Sequence, residues 1–293
     1  MSKIKKTVNA LTYEWWKRLL FFLFLLIIVY YVFLIAEEFI GFYLPLINDV
    51  FIVLVVFIPS VIIEYLRPNS KVIYLGFFWD KLTRKNFNAV IIITLTTLII
   101  CALFFVLIGV KVELSQNLQV LGIILAAISF FLRALSEELL FRGILFQALI
   151  ERFGELAAAV LISLFFVLMH LFNPNVTLFS AINLFFSGLI ISYIFIQTRS
   201  IIIVTVYHFI WNAFQSFILG WNVSGLSFTN NIFYFDKMNL PVWLSGGDFG
   251  LEASPLLLIL ILIQTYFFFK YLKKSPFVSS LILKRDYLKP EYT

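Results

Sequence analysis

The sequence predicts an all-α, polytopic membrane protein of about eight transmembrane helices, with its candidate site inside the helix bundle. Three observations lead there. The 293 residues are 62% hydrophobic and only 13% charged, with a mean hydropathy of +1.01, whereas soluble domains sit near half apolar and a quarter charged. Apolar runs at about 19–36, 50–66, 88–110, 119–150, 156–172, 176–197, 200–219 and 255–272 approach the roughly twenty residues that cross a bilayer core. Most bases fall on alternate sides of those runs, which under the positive-inside rule places both termini in the cytoplasm.

The first run ends in Glu37-Glu38 with no small-residue cleavage site, so it reads as an uncleaved span rather than a signal peptide. The second is the weakest, with Pro59 inside it and Glu64 near its end. The fourth, 119–150, is too long for a perpendicular crossing and must tilt, kink or project. No repeat and no low-complexity linker divides the chain, so residues 1–293 read as a single membrane domain. The acids of the first loop (Glu37, Glu38, Asp49) and the bases of the next (Arg67, Lys71, Lys81, Arg84, Lys85) fit the alternation. Segment 220–254 leans acidic through Asp236, Asp248 and Glu252; the last two read as exposed loop residues on the outer side, with a gate on that side as the alternative.

Several function classes drop out. A net charge of +6 in such a chain reads as base-rich cytoplasmic loops rather than a nucleic-acid surface. One cysteine, Cys101, excludes an intrachain disulfide and a Cys-rich metal site, and its apolar setting marks it as a small core residue. The C-terminal Pro290-Glu291-Tyr292-Thr293 is not a prenylation box.

The polar groups that remain inside spans are few. Ser136-Glu137-Glu138-Leu139-Leu140-Phe141-Arg142 lies within the fourth run, just after Arg133. Ionised groups at such depth are costly and mark functional sites. The chain's two histidines, His170 and His208, also fall inside spans, each with a partner four residues away on one helical face. For His170 it is Phe166, and for His208 it is Asn212. At 1.5 Å per residue, Glu137 and His170 stand about 20 Å from the cytoplasmic face, His208 about 12 Å and Asn212 about 18 Å, so the four are expected in one layer near mid-membrane. Glu138 and Arg142 have the better i, i+4 orientation, acid first; Arg133 and Glu137 have the poorer one, and Arg133 is placed to snorkel outward. Glu138 is therefore expected to pair with Arg142, leaving Glu137 freer to face a cavity with the histidines. Spacing alone also permits two ion pairs. A carboxylate, two imidazoles and an amide make a hydrolytic set: a base for water, a group to position that water, and donors for an oxyanion.

Glu-Glu-x-x-x-Arg at 137–142, Phe-x-x-x-His at 166–170 and His-x-x-x-Asn at 208–212, in that order on separate spans, resemble the motif set of the CPBP family. That family comprises type II CAAX prenyl endopeptidases and bacterial Abi or bacteriocin-processing membrane proteins. The resemblance implies an intramembrane endopeptidase with a catalytic core at about 119–219, acting on a membrane-associated peptide or protein. It implies that Glu137 activates water with His170, that His208 and Asn212 stabilise the oxyanion, and that Glu138 and Arg142 hold the site; it gives Arg133 no role. Glu137, His170 and His208 could instead supply three ligands to a divalent metal such as zinc. There is no His-Glu-x-x-His, and both routes draw on the same residues. Two other functions stay open at this point. One is a transporter or proton relay, because intramembrane Glu and His also mark ion pathways, although no inverted repeat is visible. The other is a non-catalytic membrane scaffold of the same fold.

Overall fold

The computed structural model describes residues 14–40, 45–66, 75–77, 79–116, 118–228 and 230–275, with the side chains of 36–40 and 45 outside the description. The side chains of Glu37 and Glu38, and the bases Lys3, Lys5, Lys6, Arg67, Lys71, Lys284, Arg285 and Lys289, therefore lie outside what is described. The elements in order are α1 (Trp15–Ile40), α2 (Pro45–Leu66), α3 (Lys81–Leu107), β1 (Val112–Leu114), α4 (Val120–Glu138), a π-type turn (Leu139–Leu145), α5 (Phe146–His170), α6 (Leu178–Thr198), α7 (Ile201–Ala213) and a second π-type turn (Phe214–Leu219). After these come β2 (Phe233–Phe235), α8 (Val242–Ser245), a 3₁₀ turn (Leu251–Ala253) and α9 (Pro255–Tyr271).

Among the described residues, six helical runs are long and apolar enough to cross a membrane, and α9 adds a shorter apolar helix. One of the six is a single stretch of 51 residues, Val120–His170, where the sequence predicts two spans. Its geometry restores the division. The rings of Phe141 and Phe166 lie 5.1 Å apart, although 25 residues of straight helix would separate them by about 37 Å. The chain therefore doubles back between them, and it does so at Gly154, whose φ of 79° and ψ of 170° are non-helical. Glycine occupies that left-handed conformation at little cost. The fourth crossing thus runs past Ile150 to the 151–155 turn, and it is kinked on the way, at Gly143 (ψ −113°).

The helix ends follow from local chemistry. Asp80 accepts a hydrogen bond from Thr83 N at 2.6 Å and caps α3; that bond holds its carboxyl below the usual range. Thr177 and Ser180 form a reciprocal capping box at the start of α6. Arg199, in the left-handed conformation (φ 49°), ends α6, and Ser200 caps α7. Ser254 caps α9 with Pro255 at its first position, where a missing N–H costs nothing.

At the end of the bundle that holds the start of α1, ion pairs tie the turns together. Arg18 reaches Glu151 at 2.5 Å. Glu155 takes Lys274 at 2.9 Å and Arg199 at 3.5 Å. At the opposite end, β1 and β2 pair antiparallel, Val112 with Phe235. This two-stranded strap was not predicted; it fastens the loop after α3 to the segment after α7. Asp49, read from the sequence as a loop acid, lies instead inside α2 and is fully buried. Arg133 Nε donates to it at 2.8 Å, and the Ser129 hydroxyl donates to its other oxygen. Arg133 therefore pairs with α2 and not with Glu137. The pair also shows where the extra length of α4 goes: Val120 stands about 20 Å along the helix beyond Arg133, on the side where α2 begins only four residues from Asp49.

The tightest helix contact is between α5 and α6. A Cβ added at Gly188 would lie 2.9 Å from the Cβ and Oγ of Ser163 and 3.0 Å from its Cα. Gly188→Ala should therefore force α5 and α6 apart, at a cost of about 1–3 kcal/mol. A lowered unfolding midpoint in detergent for Gly188→Ala, recovered in part when Ser163→Gly removes the two side-chain atoms at 2.9 Å, is the comparison that checks it.

Candidate functional site

Glu138 and Arg142 sit across the junction of α4 and the first π-type turn. Both have zero exposed side-chain surface, with Arg142 Nη1 3.0 Å from Glu138 Oε2 and 3.1 Å from Oε1. Ions so buried hold only when charge and hydrogen bonds are compensated together. Arg142 Nη2 donates to the carbonyl of Gly188 at 3.1 Å, which the same glycine's lack of a side chain leaves open to approach. The guanidinium also lies over the rings of Phe141 and Phe166, at 5.7 and 5.5 Å, a favourable cation–π setting. The expected i, i+4 pair is present, and Phe166 is part of its wall.

Glu138 has a second partner that spacing did not suggest. His208 Nδ1 lies 2.9 Å from Glu138 Oε1. A carboxylate only accepts, so Nδ1 carries the proton and donates, which leaves Nε2 as the working nitrogen. Nε2 stands 3.9 Å from Glu137 Oε2. The two adjacent glutamates thus grip one imidazole from its two sides. Their exposures differ: the Glu137 side chain is 35% exposed and that of Glu138 not at all. His170 Nδ1 is 2.8 Å from the carbonyl of Phe166; a carbonyl also only accepts, so the His170 Nε2 lone pair is the free one. The His170 and Phe166 rings are 4.3 Å apart.

Phe166, His170, His208 and Asn212 line one cavity, closed above by Ser224 and Glu252. The space open to the centre of a water is about 30 Å³, where one water needs about 10–15 Å³. It therefore holds a water or two and no peptide. Glu137 is not among its lining residues; its Oε2 faces the Nε2 of His208, which does line it, from 3.9 Å. His170 is the last residue of α5, so the cavity lies toward the strap end of the bundle. Loop chemistry roofs it. Glu252, read from the sequence as an exposed loop acid, accepts from Ser224 N and Oγ, each at 2.7 Å. Asn173 Nδ2 donates to Ser224 O at 2.9 Å, and Gly225 N to Phe249 O at 2.9 Å. The signal in the sequence was Ser254-Pro255: a helix start there returns Glu252 to the bundle mouth. Asp248 is exposed, as expected, 4.0 Å from Lys237. Beside the cavity, Trp211 Nε1 donates to the Tyr207 hydroxyl at 2.9 Å, which donates to Gln264 at 2.7 Å, fastening α7 to α9.

Nδ1 of His170 is held by a carbonyl and Nδ1 of His208 by Glu138, which leaves the two Nε2 atoms as the nitrogens that could meet a metal ion. Among the described residues, no three His, Cys, Asp or Glu side chains converge closely enough to hold a metal ion.

Residues 116–214 match the family model described as Rce1-like: Type II CAAX prenyl endopeptidase Rce1-like. The matched segment holds Glu137, Glu138, Arg142, His170, His208 and Asn212, and it supports the CAAX-protease resemblance read from the motifs. No curated protein and no solved structure matches the chain.

Removing one member of a buried ion pair strands the other, at about 3–5 kcal/mol. Arg142→Leu should therefore lose much of the folded, monodisperse population on detergent extraction. Arg142→Leu combined with Glu138→Leu should recover part of that loss in the same size-exclusion assay, because the stranded charge is gone.

Proposed function

We propose that this multi-pass membrane protein, through its Rce1-like segment, is an intramembrane endopeptidase that hydrolyses a peptide bond in a membrane-associated protein or peptide. The observation that carries the reading is His208 held between Glu138 at 2.9 Å and Glu137 at 3.9 Å, beside a cavity that also presents His170 and Asn212.

The chemistry follows from the hydrogen-bond roles. His170 Nε2 accepts one O–H of a water and the Glu137 carboxylate accepts the other, so the water's lone pair is left for the substrate carbonyl. As the oxygen attacks, Glu137 takes the proton as general base. The carbonyl oxygen becomes an oxyanion and accepts hydrogen bonds from the Asn212 amide and from His208 Nε2. His208 can donate from Nε2 only as the imidazolium, since Nδ1–H is committed to Glu138. Charge balance favours that state: Glu137 and Glu138 carry two negative charges, Arg142 and His208 two positive ones, and the group is neutral. The C–N bond then breaks, and the proton held on Glu137 passes to the leaving amine.

In this reading water works without a metal, and Glu138 and Arg142 position His208. The end of the bundle bearing the base-rich segments faces the cytoplasm, which puts both termini there, in a plasma membrane. The substrate lies in the bilayer and enters between helices, since the cavity alone admits only water.

Glu137→Gln keeps the side chain's size and removes the base. It should lower kcat by about 10²–10⁴-fold on a prenylated peptide reporter without changing the unfolding midpoint, and Asn212→Ala should cost about 10²–10³-fold. An excess of chelator should leave the wild-type rate unchanged. Undiminished cleavage by purified Glu137→Gln protein would sink the assignment, and loss of activity on chelation with recovery on added zinc would sink its metal-free form.

A further inference from the structure

Glu252 belongs to no motif and lies beyond the matched segment 116–214, yet it lines the same cavity as His170, His208 and Asn212. What it holds there is the tip of a tight turn. Val223 N donates to Leu226 O at 3.0 Å, and Leu226 N donates back to Val223 O at 2.9 Å. The two residues between them, Ser224 and Gly225, have φ of 50° and 83°. Positive φ at both central residues is the mark of a type I′ turn. Such a turn favours Asn, Asp or Gly at its first central position, because a side chain is disfavoured in the left-handed region.

The serine is explained by its polar groups. Ser224 N and Oγ both donate to Glu252 Oε2 at 2.7 Å, and Ser224 O accepts from Asn173 Nδ2 at 2.9 Å. Gly225 N donates to Phe249 O at 2.9 Å. The tip therefore lies across its neighbours backbone to backbone, and a Cβ on Gly225 would stand 2.1 Å from Pro174 O. The base of the turn is different: Val223 is buried in one apolar cluster with Phe130 and Phe217. Hydrogen bonds exchange with water at small net cost, whereas apolar packing does not. The turn is thus hinged at its base and latched at its tip, and the tip is the part that can lift.

Beneath the tip is a space for a water or two. Its described lining residues stand on α5, α6, α7 and α9, except Ser224 and Glu252, which reach it from loops at the end of the bundle. Hydrolysis consumes a water in each turnover, and the loops are where bulk water meets this cavity. Resting on the endopeptidase reading, we propose that the Ser224-Gly225 tip is the gate for the hydrolytic water, and that Glu252 is the positioning residue that latches it shut. Water then enters at the strap end, and substrate enters between helices.

The test uses the full chain in phosphatidylcholine nanodiscs, with Ser187→Cys as a reporter in the cavity wall and Cys101→Ala removing the native thiol. The probe is a charged methanethiosulfonate, which neither crosses lipid nor fits the closed cavity. With the roof intact the reporter should react slowly. Glu252→Gln weakens the charge-assisted latch and should speed the reaction about 10–100-fold. Ser224→Gly keeps the N–H bond, loses the hydroxyl and should speed it less. Asp248→Asn, at an exposed acid of the same segment, should leave the rate unchanged. A merely structural Glu252 would shift the unfolding midpoint and leave the labelling rate as it was, which overturns the proposal. So does a reporter that reacts as fast under the intact roof as in Glu252→Gln. If Glu252→Gln does not fold, Asn173→Ala frees Ser224 from its other side and carries the same comparison. Labelling needs no catalysis, so the two readings fail separately. A latch-dependent rate in a protein that cleaves no peptide overturns the endopeptidase reading, and with it the gate's part in hydrolysis, whereas cleavage with a latch-independent rate overturns the inference alone.

Discussion

Arg142 and Glu138 meet with no exposed surface on either side chain, and the arrangement of the neighbouring helices is set by what those two ions require. Each would cost several kcal/mol to bury alone. Arg142 can be compensated only if a backbone carbonyl comes within hydrogen-bond reach, which it finds at Gly188 on α6. That demands a residue without a side chain, and the same absence lets α5 approach through Ser163. Ser192 returns its hydroxyl to the Gly188 carbonyl at 2.7 Å, so this one oxygen serves both a cation and its own helix. The π-type turn Leu139–Leu145 follows directly on Glu138. Such turns collect at functional sites because they re-aim side chains within a helix, and here the turn carries Arg142 itself. The second one begins just after Asn212, at Phe214. Both helices that present site residues are thus widened beside them.

From that anchor the orientation of His208 follows. A free imidazole has two tautomers and a rotatable ring; a carboxylate at 2.9 Å fixes both. The Nε2 nitrogen is directed by way of Glu138, a residue that itself touches no solvent, and Glu138 is held in turn by Arg142. The roof works on the same principle in softer form. Ser224 is tied by its carbonyl to Asn173 and by its N–H and hydroxyl to Glu252, so three separate loops share a few hydrogen bonds above a space sized for water. A lid made of hydrogen bonds at the end of a bundle can open without unpacking the apolar core, since low-stability loops are where such motion concentrates.

Much of this was legible in the sequence because bilayer constraints are severe. Hydropathy located the crossings, and the few polar residues inside them pointed to the site before any contact was known. The i, i+4 rule found Glu138–Arg142 because both partners share one helix. It failed for Arg133, whose partner Asp49 lies on α2 across 84 positions; spacing within a helix carries no information about acids on another. It also missed the His208–Glu138 bond for that reason. Depth counting from helix ends put the four groups close together, because rise per residue carries over to any helix whose start is known. Glu252 read as a loop acid because polar loop residues normally are, and only the return of segment 222–252 over the helix mouths brings it to the cavity.

The Glu137-Glu138 dipeptide shows how one helix separates two identical side chains. Successive residues are 100° apart around the axis. That rotation turns Glu138 into the bundle, where a cation and an imidazole must neutralise it, and leaves Glu137 at a boundary with 35% of its side chain accessible. The accessible one faces the second nitrogen of His208 at 3.9 Å. In the proposed reading His208 stays an imidazolium throughout the attack, and the proton that Glu137 takes from water is balanced by the negative charge that appears on the substrate oxygen. The four groups and the substrate together then keep the same net charge through the step, and none is added to a low-dielectric interior.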